Sequence, residues 1–325
     1  MYTVHGKTEK KGDVKSMTDR TLKKKSIWRD RASWELLLLC APTLICFTLF
    51  SYVPMIGIIL PFKRFMPAKG LFGSPWVGLE NFKFLFRSVE LARIMRNTVL
   101  YSLWFMLIGP AVNVAIALLL FEVNSRRALK YYQTTISFPN FMSMVIIGYI
   151  TYAILNPTMG VLNHLRGALG LAPIDVYTDP RYWPLILTIV NCWQGLGMGS
   201  MLYLSALLGA DPTVYEAAKI DGANRWQQTL HVSVPVIVPI LSLQLILSVG
   251  GLFGGSFELF YTIPRNVSVL YDTTDILSTY VMRGLQAGDY GRSSAVGLFQ
   301  SVVGLILITG TNLVVKKISP ENSIF

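Results

Sequence analysis

The sequence contains few residues of the kinds that carry out chemistry, with only three cysteines and three histidines among 325 residues. The cysteines lie in or beside apolar runs without metal-ligand spacing, so they predict small buried side chains rather than disulfides or a metal site. The motifs His-Glu-x-x-His and Gly-x-Ser-x-Gly are absent, which argues against an intramembrane enzyme and predicts neither a catalytic residue nor a metal ligand. The residues concerned are Cys40, Cys46, Cys192, His5, His164 and His231.

Two further absences limit how the chain can be energised. No Gly-x-x-x-x-Gly-Lys-Ser/Thr stretch occurs, so the chain cannot hydrolyse ATP through a phosphate-binding loop of its own, and we predict no cofactor in it. Acidic residues are nearly absent from the apolar runs, and neither half of the sequence duplicates the other. A self-sufficient ion-coupled transporter would be expected to show intramembrane ionisable residues and internal repeats. That hypothesis is the alternative to the function inferred below.

Charged residues are scarce, at 14% against 52% hydrophobic residues, so the chain is too apolar for a soluble domain of this length. The apolar residues gather in runs that match the roughly 20 helical residues needed to cross a bilayer core. The sequence therefore predicts an all-α, polytopic bundle of six transmembrane helices. The runs are 34–60, 97–121, 136–156, 183–208, 235–261 and 294–315.

The net charge of +11 is placed in a way that indicates membrane topology. Basic residues concentrate at the N-terminus and between apolar runs, without a groove-reading motif, so no nucleic acid is expected as a partner. Six helices put both termini on one side, and the Lys-rich arm predicts that this side is cytoplasmic. The predicted organisation is a cytoplasmic arm over 1–33, a membrane domain over 34–315 with a cytoplasmic loop at 209–234, and a cytoplasmic tail over 316–325.

The segment 80–96 is basic although this topology places it outside. Its apolar residues recur with a spacing that predicts an amphipathic helix lying on the membrane, with Lys83, Arg87 and Arg93 reaching toward water. The apolar residues expected on the membrane are Phe82, Leu85, Phe86, Leu91 and Ile94.

The loop between the fourth and fifth runs has the local pattern of a short helix. Asp211 is a favourable N-cap, Pro212 suits the first helical position, and Gly222 can end the helix in the left-handed conformation. Such a helix is too short to span the bilayer and should lie at the cytoplasmic surface. The pattern by itself is also compatible with an ordinary surface helix that closes a loop.

The same loop resembles the signature of the permease subunits of binding-protein-dependent ABC importers. That signature is Glu-Ala-Ala, three residues, Gly, nine residues, then Ile-x-Leu-Pro. Here 216–218 read Glu-Ala-Ala, Gly222 follows, and 232–235 read Val-Ser-Val-Pro, with Val in place of Ile and Leu. In that family the loop forms a coupling helix that docks on a separate ATPase. The resemblance implies that the coupling residues are Tyr215, Glu216, Ala217, Ala218, Asp221, Gly222 and Pro235.

The likeness extends to 73–82, 96–98, 211–223 and 290–299, which look like the sugar and polysaccharide branch of the family. That branch includes permeases for complex polysaccharides and an importer of alginate oligosaccharides. The resemblance implies a type I ABC importer permease in a bacterial inner membrane, which imports a carbohydrate by alternating access. The implied partners are a second homologous permease, an extracytoplasmic solute-binding protein, membrane lipid, and an ABC ATPase dimer that binds ATP and Mg.

Polar and aromatic residues inside the apolar runs are candidates for a substrate path. In a membrane such residues usually face the bundle interior or a cavity, although hydrogen bonding between helices is the alternative. Glu258 lies near the external end of its run, which favours a hydrated position at the loop edge. Outside, Arg265, Arg283 and Arg292 either attract an acidic sugar or meet acidic patches on a binding protein. The candidates for the path are Asn113, Asn191, Trp193, Gln194, Tyr203, Gln244 and Glu258.

Overall fold

The computed structural model describes residues 31–318. Most of the arm 1–33 and the end of the tail 316–325 lie outside the described residues. Residues 31–318 are mostly helical and form no β-strand, apart from one isolated bridge between Lys63 and Trp76. The prediction of an all-α fold is confirmed.

The chain divides into two units, 1–57 and 58–325. The first unit contains α1 (Arg31–Phe47), which continues as a π-helical turn, Thr48–Tyr52, and the start of a 3-10 helix, Val53–Phe62. The stretch Trp34–Phe62 is apolar and long enough to cross a membrane, as the run 34–60 predicts.

The second unit contains the remaining helices. In chain order they are α2 (Gly70–Gly73), α3 (Glu80–Arg87), α4 (Val89–Phe121), α5 (Arg126–Ser137), α6 (Met144–Leu155), α7 (Val161–Ala168), α8 (Trp183–Leu208), α9 (Pro212–Ile220), α10 (Arg225–Gln228), α11 (Val234–Val249), α12 (Phe257–Thr262), α13 (Tyr271–Thr274), α14 (Leu277–Gln286) and α15 (Tyr290–Ile318).

The third predicted span, 136–156, is not one straight helix. The helical stretch Arg126–Phe141 meets α6 at an angle of 99°. Pro139 has no N–H to continue a helical ladder, and the Ser143 side chain caps the start of α6 by accepting from the Ile146 N–H. The 12 residues of α6 rise only about 18 Å, less than a bilayer core. The described chain thus has five helices able to cross a membrane, or six if the bent pair is one span.

The fifth predicted span, 235–261, is also interrupted. α11 ends at Val249, and the chain turns through 250–256 before α12 begins. This stretch holds four glycines, which have low helix propensity, and Gly255 adopts a φ of +60°. Gly250 also packs tightly, since a Cβ there would lie 2.3 Å from Ile308 Cγ1. The glycines end the helix as well as allowing close packing.

The prediction that 80–96 lies on the membrane surface is wrong for most of its apolar residues. Leu85, Leu91 and Ile94 are buried and pack with Leu277 and Val296, and Phe82 packs partly buried beside them. The segment is a bent pair, α3 and the start of α4, whose apolar sides close onto α14 and α15. Of the predicted membrane-facing residues, Phe86 alone is largely exposed, at 79%.

α8 is the central helix of the second unit and packs along α4. Its first residue, Trp183, is fully buried, and near it Thr273 donates to the Pro180 carbonyl. Its last turn leads into α9. Since its 26 residues rise about 39 Å, α13 and α14 lie at one end of the bundle and α9 at the other. We call these the α14 end and the α9 end.

Candidate functional site

The predicted caps of α9 are present. The Thr213 N–H donates to Asp211 Oδ1 at 2.9 Å, and this bond lowers the pKa of the Asp211 carboxyl. Gly222 has a φ of +77°, and the Ala223 N–H donates back to the Ala218 carbonyl at 2.9 Å. This is the left-handed ending that a glycine permits without strain. The loop therefore folds as its sequence predicts, because its signals are local.

One side of α9 is open and shallow. Glu216 and Ala217 are exposed, and Ala218 is half-buried. Val214 and Ile220 are 50% and 86% exposed, so the helix presents two apolar side chains beside the small side chain of Ala217. Apolar groups presented in this way are typical of a surface that receives a partner.

Tyr215 ties the other side of α9 to two membrane helices. Its hydroxyl lies 3.1 Å from Ser233 Oγ, which is buried just before α11 begins at Val234. Its ring packs against Phe121, the last residue of α4, with ring centroids 5.6 Å apart. Beside it, Arg225 donates to Glu122 at 2.9 Å. Tyr215 thus links the loop helix to the ends of α4 and α11, and Pro235 stands in the first turn of α11.

Four of the seven predicted path residues come together in the bundle interior. They line a cavity of about 240 Å³ between α4, α8 and α11. Tyr203 lies outside this cavity but is fully buried, and its hydroxyl donates to Gln244 Oε1. Trp193 is partly exposed and Glu258 is exposed at the start of α12, and neither lines the cavity. The four lining residues are Asn113, Asn191, Gln194 and Gln244.

A second cavity of about 350 Å³ continues the first toward the α14 end. The two share Phe105, Met106, Asn191 and Ser248, and the second reaches Thr98 and Ile276. From Asn113 to Thr98 the α4 wall rises about 22 Å. We call the two cavities together the polar path.

The polar path carries hydrogen-bonding groups that have no partner among the described residues. Asn113 Oδ1 and the Tyr101 hydroxyl are both buried and unpaired in this part of the chain. Asn113 is pressed against α8, because a Cβ on Gly199 would lie 2.1 Å from its Nδ2. Buried polar groups are normally bonded, so these atoms suit a solvated or hydroxyl-bearing occupant.

Comparison with known proteins identifies the family. The family of binding-protein-dependent transport system inner membrane components matches residues 114–321. The chain belongs to this family. It is 36% identical to Protein LplB of Bacillus subtilis (strain 168), over 90% of this chain and 91% of LplB. It is 35% identical to the polygalacturonan/rhamnogalacturonan transport system permease protein YteP of the same organism, over 88% of this chain and 89% of YteP.

A solved structure of a bacterial alginate ABC transporter, in complex with its alginate pentasaccharide-bound periplasmic protein, is similar at a TM-score of 0.80. The match is 32% identical and covers 91% of this chain and 99% of that one. A structure of a bacterial ABC transporter involved in import of the acidic polysaccharide alginate gives a TM-score of 0.81, with the same identity. The predicted resemblance to ABC importer permeases is confirmed.

The matched range of the inner membrane component family runs from the last quarter of α4 through α15, so it contains α9 whole. Asn113 falls one residue before it. YteP is named a transport system permease protein, and both solved structures are of ABC transporters, in agreement with the prediction of a translocation subunit. Among the described residues no group of three or more His, Cys, Asp or Glu side chains is placed to hold a metal ion.

Sequence reasoning missed several residues of the polar path and the residues that connect Tyr215 of α9 to α4 and α11. Asn140 lies at the bend of the third span, and its Nδ2 donates to the Gln194 carbonyl at 3.4 Å. The preceding Pro139 is a usable signal, since a proline in a span removes a hydrogen bond from the helical ladder. Ser248, Phe121 and Ser233 carry no such signal, because their roles depend on contacts distant in sequence.

Proposed function

We propose that this chain is a membrane-spanning permease subunit of an ATP-driven ABC importer for a carbohydrate, an oligo- or polysaccharide. Support comes from its family and from the names of its relatives, which include a polygalacturonan/rhamnogalacturonan permease and an alginate transporter. An alginate-type acidic polysaccharide is the substrate class that these names favour.

The observation that carries the proposal is the exposed, capped helix α9. Its open face includes Glu216 and Ala217, Ala218 is half-buried, and Gly222 ends the helix in the left-handed conformation. In this proposal that face docks on a separate ATPase, with Val214 and Ile220 as apolar anchors. Asp221 lies exposed at the end of the helix, where it can meet the same partner.

Displacement of α9 would reach both walls of the polar path. Tyr215 connects it to the end of α4 through Phe121 and to the start of α11 through Ser233. α4 provides Asn113 and Phe105 to the path, and α11 provides Gln244 and Ser248. Rigid-body movement of a short helix that is joined to both walls opens one end of a path as it closes the other.

The lining of the path suits a sugar. Pyranose rings stack on aromatic faces, which Tyr101 and Phe105 supply. Sugar hydroxyls require hydrogen-bond partners, which the amides of Asn113, Asn191 and Gln194 supply. The amides also suit a partner that arrives with both donors and acceptors.

In this proposal the two ends of the bundle lie on opposite sides of the membrane. The α9 end is cytoplasmic together with both termini, and the α14 end is extracytoplasmic. ATP and Mg bind to the partner ATPase dimer, a second homologous permease completes the path, and a solute-binding protein delivers substrate at the α14 end. Lipid surrounds the bundle, and the arm 1–33 sets its orientation.

The test is reconstitution of the tagged chain with its copurifying partners in proteoliposomes. Gly222→Val forces a branched side chain into the left-handed region and should misplace the end of α9. We expect uptake of oligosaccharide to fall about tenfold, equivalent to roughly 1.4 kcal/mol in the coupling step. Glu216→Ala should also lower uptake, with binding of substrate unchanged.

The matched control is Gly170→Val, since Gly170 also has a positive φ, +71°, and open space around it, but lies in the loop after α7. It carries a similar strain away from α9 and should leave uptake near the wild-type rate. Equal loss of uptake in both variants would show that backbone strain in general, rather than the position of α9, causes the effect. Transport by the wild-type chain without any ATPase would refute the proposal and favour an ion-coupled carrier.

A further inference from the structure

A third cavity lies apart from the polar path, between α6 and the turn that follows α12, toward the α14 end. Its volume is about 460 Å³. It combines aromatic side chains with a guanidinium and an amide, a lining that the coupling and path residues do not explain. The lining residues are Val145, Gly148, Tyr149, Tyr261, Thr262, Arg265 and Asn266.

The backbone of this turn is strained. Arg265 and Asn266 have φ values of +58° and +52°, the only positive values among non-glycine residues in the described chain. Asparagine accepts this region readily, but a long side chain such as arginine does so at a cost. Strain of this kind persists where the surroundings enforce it, and it clusters at binding sites.

The surroundings of the turn enforce that conformation. The Tyr271 hydroxyl donates to Asn266 Oδ1 at 2.9 Å and lies 3.2 Å from the Asn266 carbonyl oxygen. One face of the Tyr271 ring is covered by Arg283, whose Cζ lies 4.0 Å from the ring centroid. Arg283 is fixed in turn by the buried Asp275. The turn therefore rests on a rigid support.

Arg265 is aimed for binding rather than for pairing within the chain. Its Cζ lies 4.0 Å from the centroid of the Tyr152 ring, so the guanidinium stacks on an aromatic face. Stacking leaves the in-plane N–H donors free to point outward. No carboxylate among residues 31–318 forms an ion pair with it. Beneath Tyr152, burial raises the pKa of Tyr177 to about 12, while the charge of Arg265 acts in the opposite direction.

Two tyrosines complete the rim because α6 and α12 approach closely. A Cβ on Gly148 would lie 2.8 Å from Thr262 Cγ2, so a larger residue there would require Thr262 to shift. Tyr149, next to it, is 66% exposed. On the facing side the Tyr261 hydroxyl accepts from Gln286 Nε2 at 3.2 Å, which leaves its ring as a face of the cavity.

We propose that this cavity is a second saccharide site, which binds a carboxylate-bearing sugar unit, a uronate, at the extracytoplasmic entrance. Arg265 bonds the sugar carboxylate through its in-plane donors, and Tyr149 and Tyr261 pack against the ring. The site rests on the proposed function for the identity of the ligand class, and lies outside the polar path. It selects acidic over neutral oligosaccharides before they enter the path.

The decisive variant is Arg265→Asn, in the complete complex held in nanodiscs without binding protein. Asparagine suits the positive φ, so the fold should be kept or stabilised while the guanidinium is lost. We expect the Kd of a galacturonic acid trisaccharide, measured by saturation-transfer NMR, to rise about tenfold. The Kd of its carboxyl-reduced counterpart should stay unchanged. Arg166→Asn is the control, because the Arg166 guanidinium bonds the Ala172 carbonyl away from the cavity.

Three results would overturn the site. Equal weakening for both trisaccharides would show that Arg265 does not recognise a carboxylate. Unchanged binding of both trisaccharides would show that the cavity does not take part in saccharide binding. Loss of the second permease from the purified Tyr149→Ala complex would make the cavity a subunit interface instead. Failure of the wild-type complex to bind or import any oligosaccharide would refute the proposed function itself, a result distinct from these three.

Discussion

Each end of the bundle contains an ion pair, and the two pairs differ in how deeply they are buried. At the α14 end, Asp275 is 0% and Arg283 19% exposed. At the α9 end, Glu122 is 47% and Arg225 78% exposed. An exposed pair contributes little to stability, whereas removing one partner of a buried pair leaves a charge without compensation. We therefore expect the α14 end to be the more rigid of the two and the α9 end to be displaced more easily.

The α14 end surrounds its ion pair with further bonds. Asn97 donates to the carbonyls of Asp272 and Asp275, and Thr98 Oγ1 accepts the Leu277 N–H at 2.9 Å. Burial acts to lower the pKa of Arg283, but the hydrogen bonds and charge of Asp275 outweigh it, and the pKa is raised. This network ties the start of α4 to α14, and it supports the turn at Arg265.

The α9 end depends on fewer contacts. Tyr215 provides one ring contact and one hydroxyl bond, and most of α9 is exposed. A helix that is held by few contacts can move relative to the rigid α14 end, as the proposed coupling to an ATPase requires. If the comparison is correct, substitutions at the α14 end should change stability, and those at the α9 end should change transport.

The largest effect is expected from Asp275→Ala. It leaves the partly buried Arg283 guanidinium without its carboxylate partner and removes one of the two acceptors near the Thr279 hydroxyl, the other being the Ile276 carbonyl. We expect a loss of about 3–5 kcal/mol, seen as a lower melting temperature of the purified complex in nanodiscs.

The matched control is Asp272→Ala, which removes the more exposed carboxylate that pairs with Arg93. It should lower the melting temperature much less. Similar losses in both variants would contradict the view that burial makes the difference. An unchanged melting temperature in Asp275→Ala would refute the view that this ion pair stabilises the α14 end.

The sequence predicted what depends on local signals. The caps of α9 at Asp211 and Gly222 follow from residue types at fixed spacing, and the long apolar runs follow from composition. The break after Val249 differs from the uninterrupted span predicted over 235–261, because the glycines at 250–255 can either allow close packing or end a helix. Glycines do both, and only the surrounding helices decide which dominates.

The interior of the site was predicted only in part. Asn191 and Gln194 are three residues apart on α8, so one helix face brings them together. Asn113 and Gln244 join them from other helices, as expected of polar residues in spans. The bond from Tyr203 to Gln244 and the contact of Tyr215 with Ser233 join residues far apart in sequence. Such pairs cannot be read from one sequence.

Tyr215→Phe should have an intermediate effect on stability and a clear effect on transport. The substitution keeps the ring contact with Phe121 and removes only the bond to the buried Ser233 Oγ. We expect a stability loss of about 1 kcal/mol, together with ATP hydrolysis that is less well coupled to uptake. The ratio of sugar imported to ATP hydrolysed in proteoliposomes measures this.

Tyr131→Phe is the control for removing a tyrosine hydroxyl, since Tyr131 on α5 is 68% exposed. Its transport ratio should match that of the wild type. A Tyr215→Phe complex with the wild-type ratio would show that the hydroxyl bond does not transmit movement, and would leave the ring contact as the remaining link.

The smallest effect is expected from Arg225→Gln. The ion pair with Glu122 is exposed on both sides, so its loss should lower stability by less than about 1 kcal/mol, and the deficit should vanish at high salt. Arg181→Gln, in an exposed pair with Asp179 near the α14 end, should behave alike in melting temperature. Uptake should be unchanged in both. A loss of uptake confined to Arg225→Gln would show that the Arg225–Glu122 ion pair transmits the movement of α9 together with Tyr215.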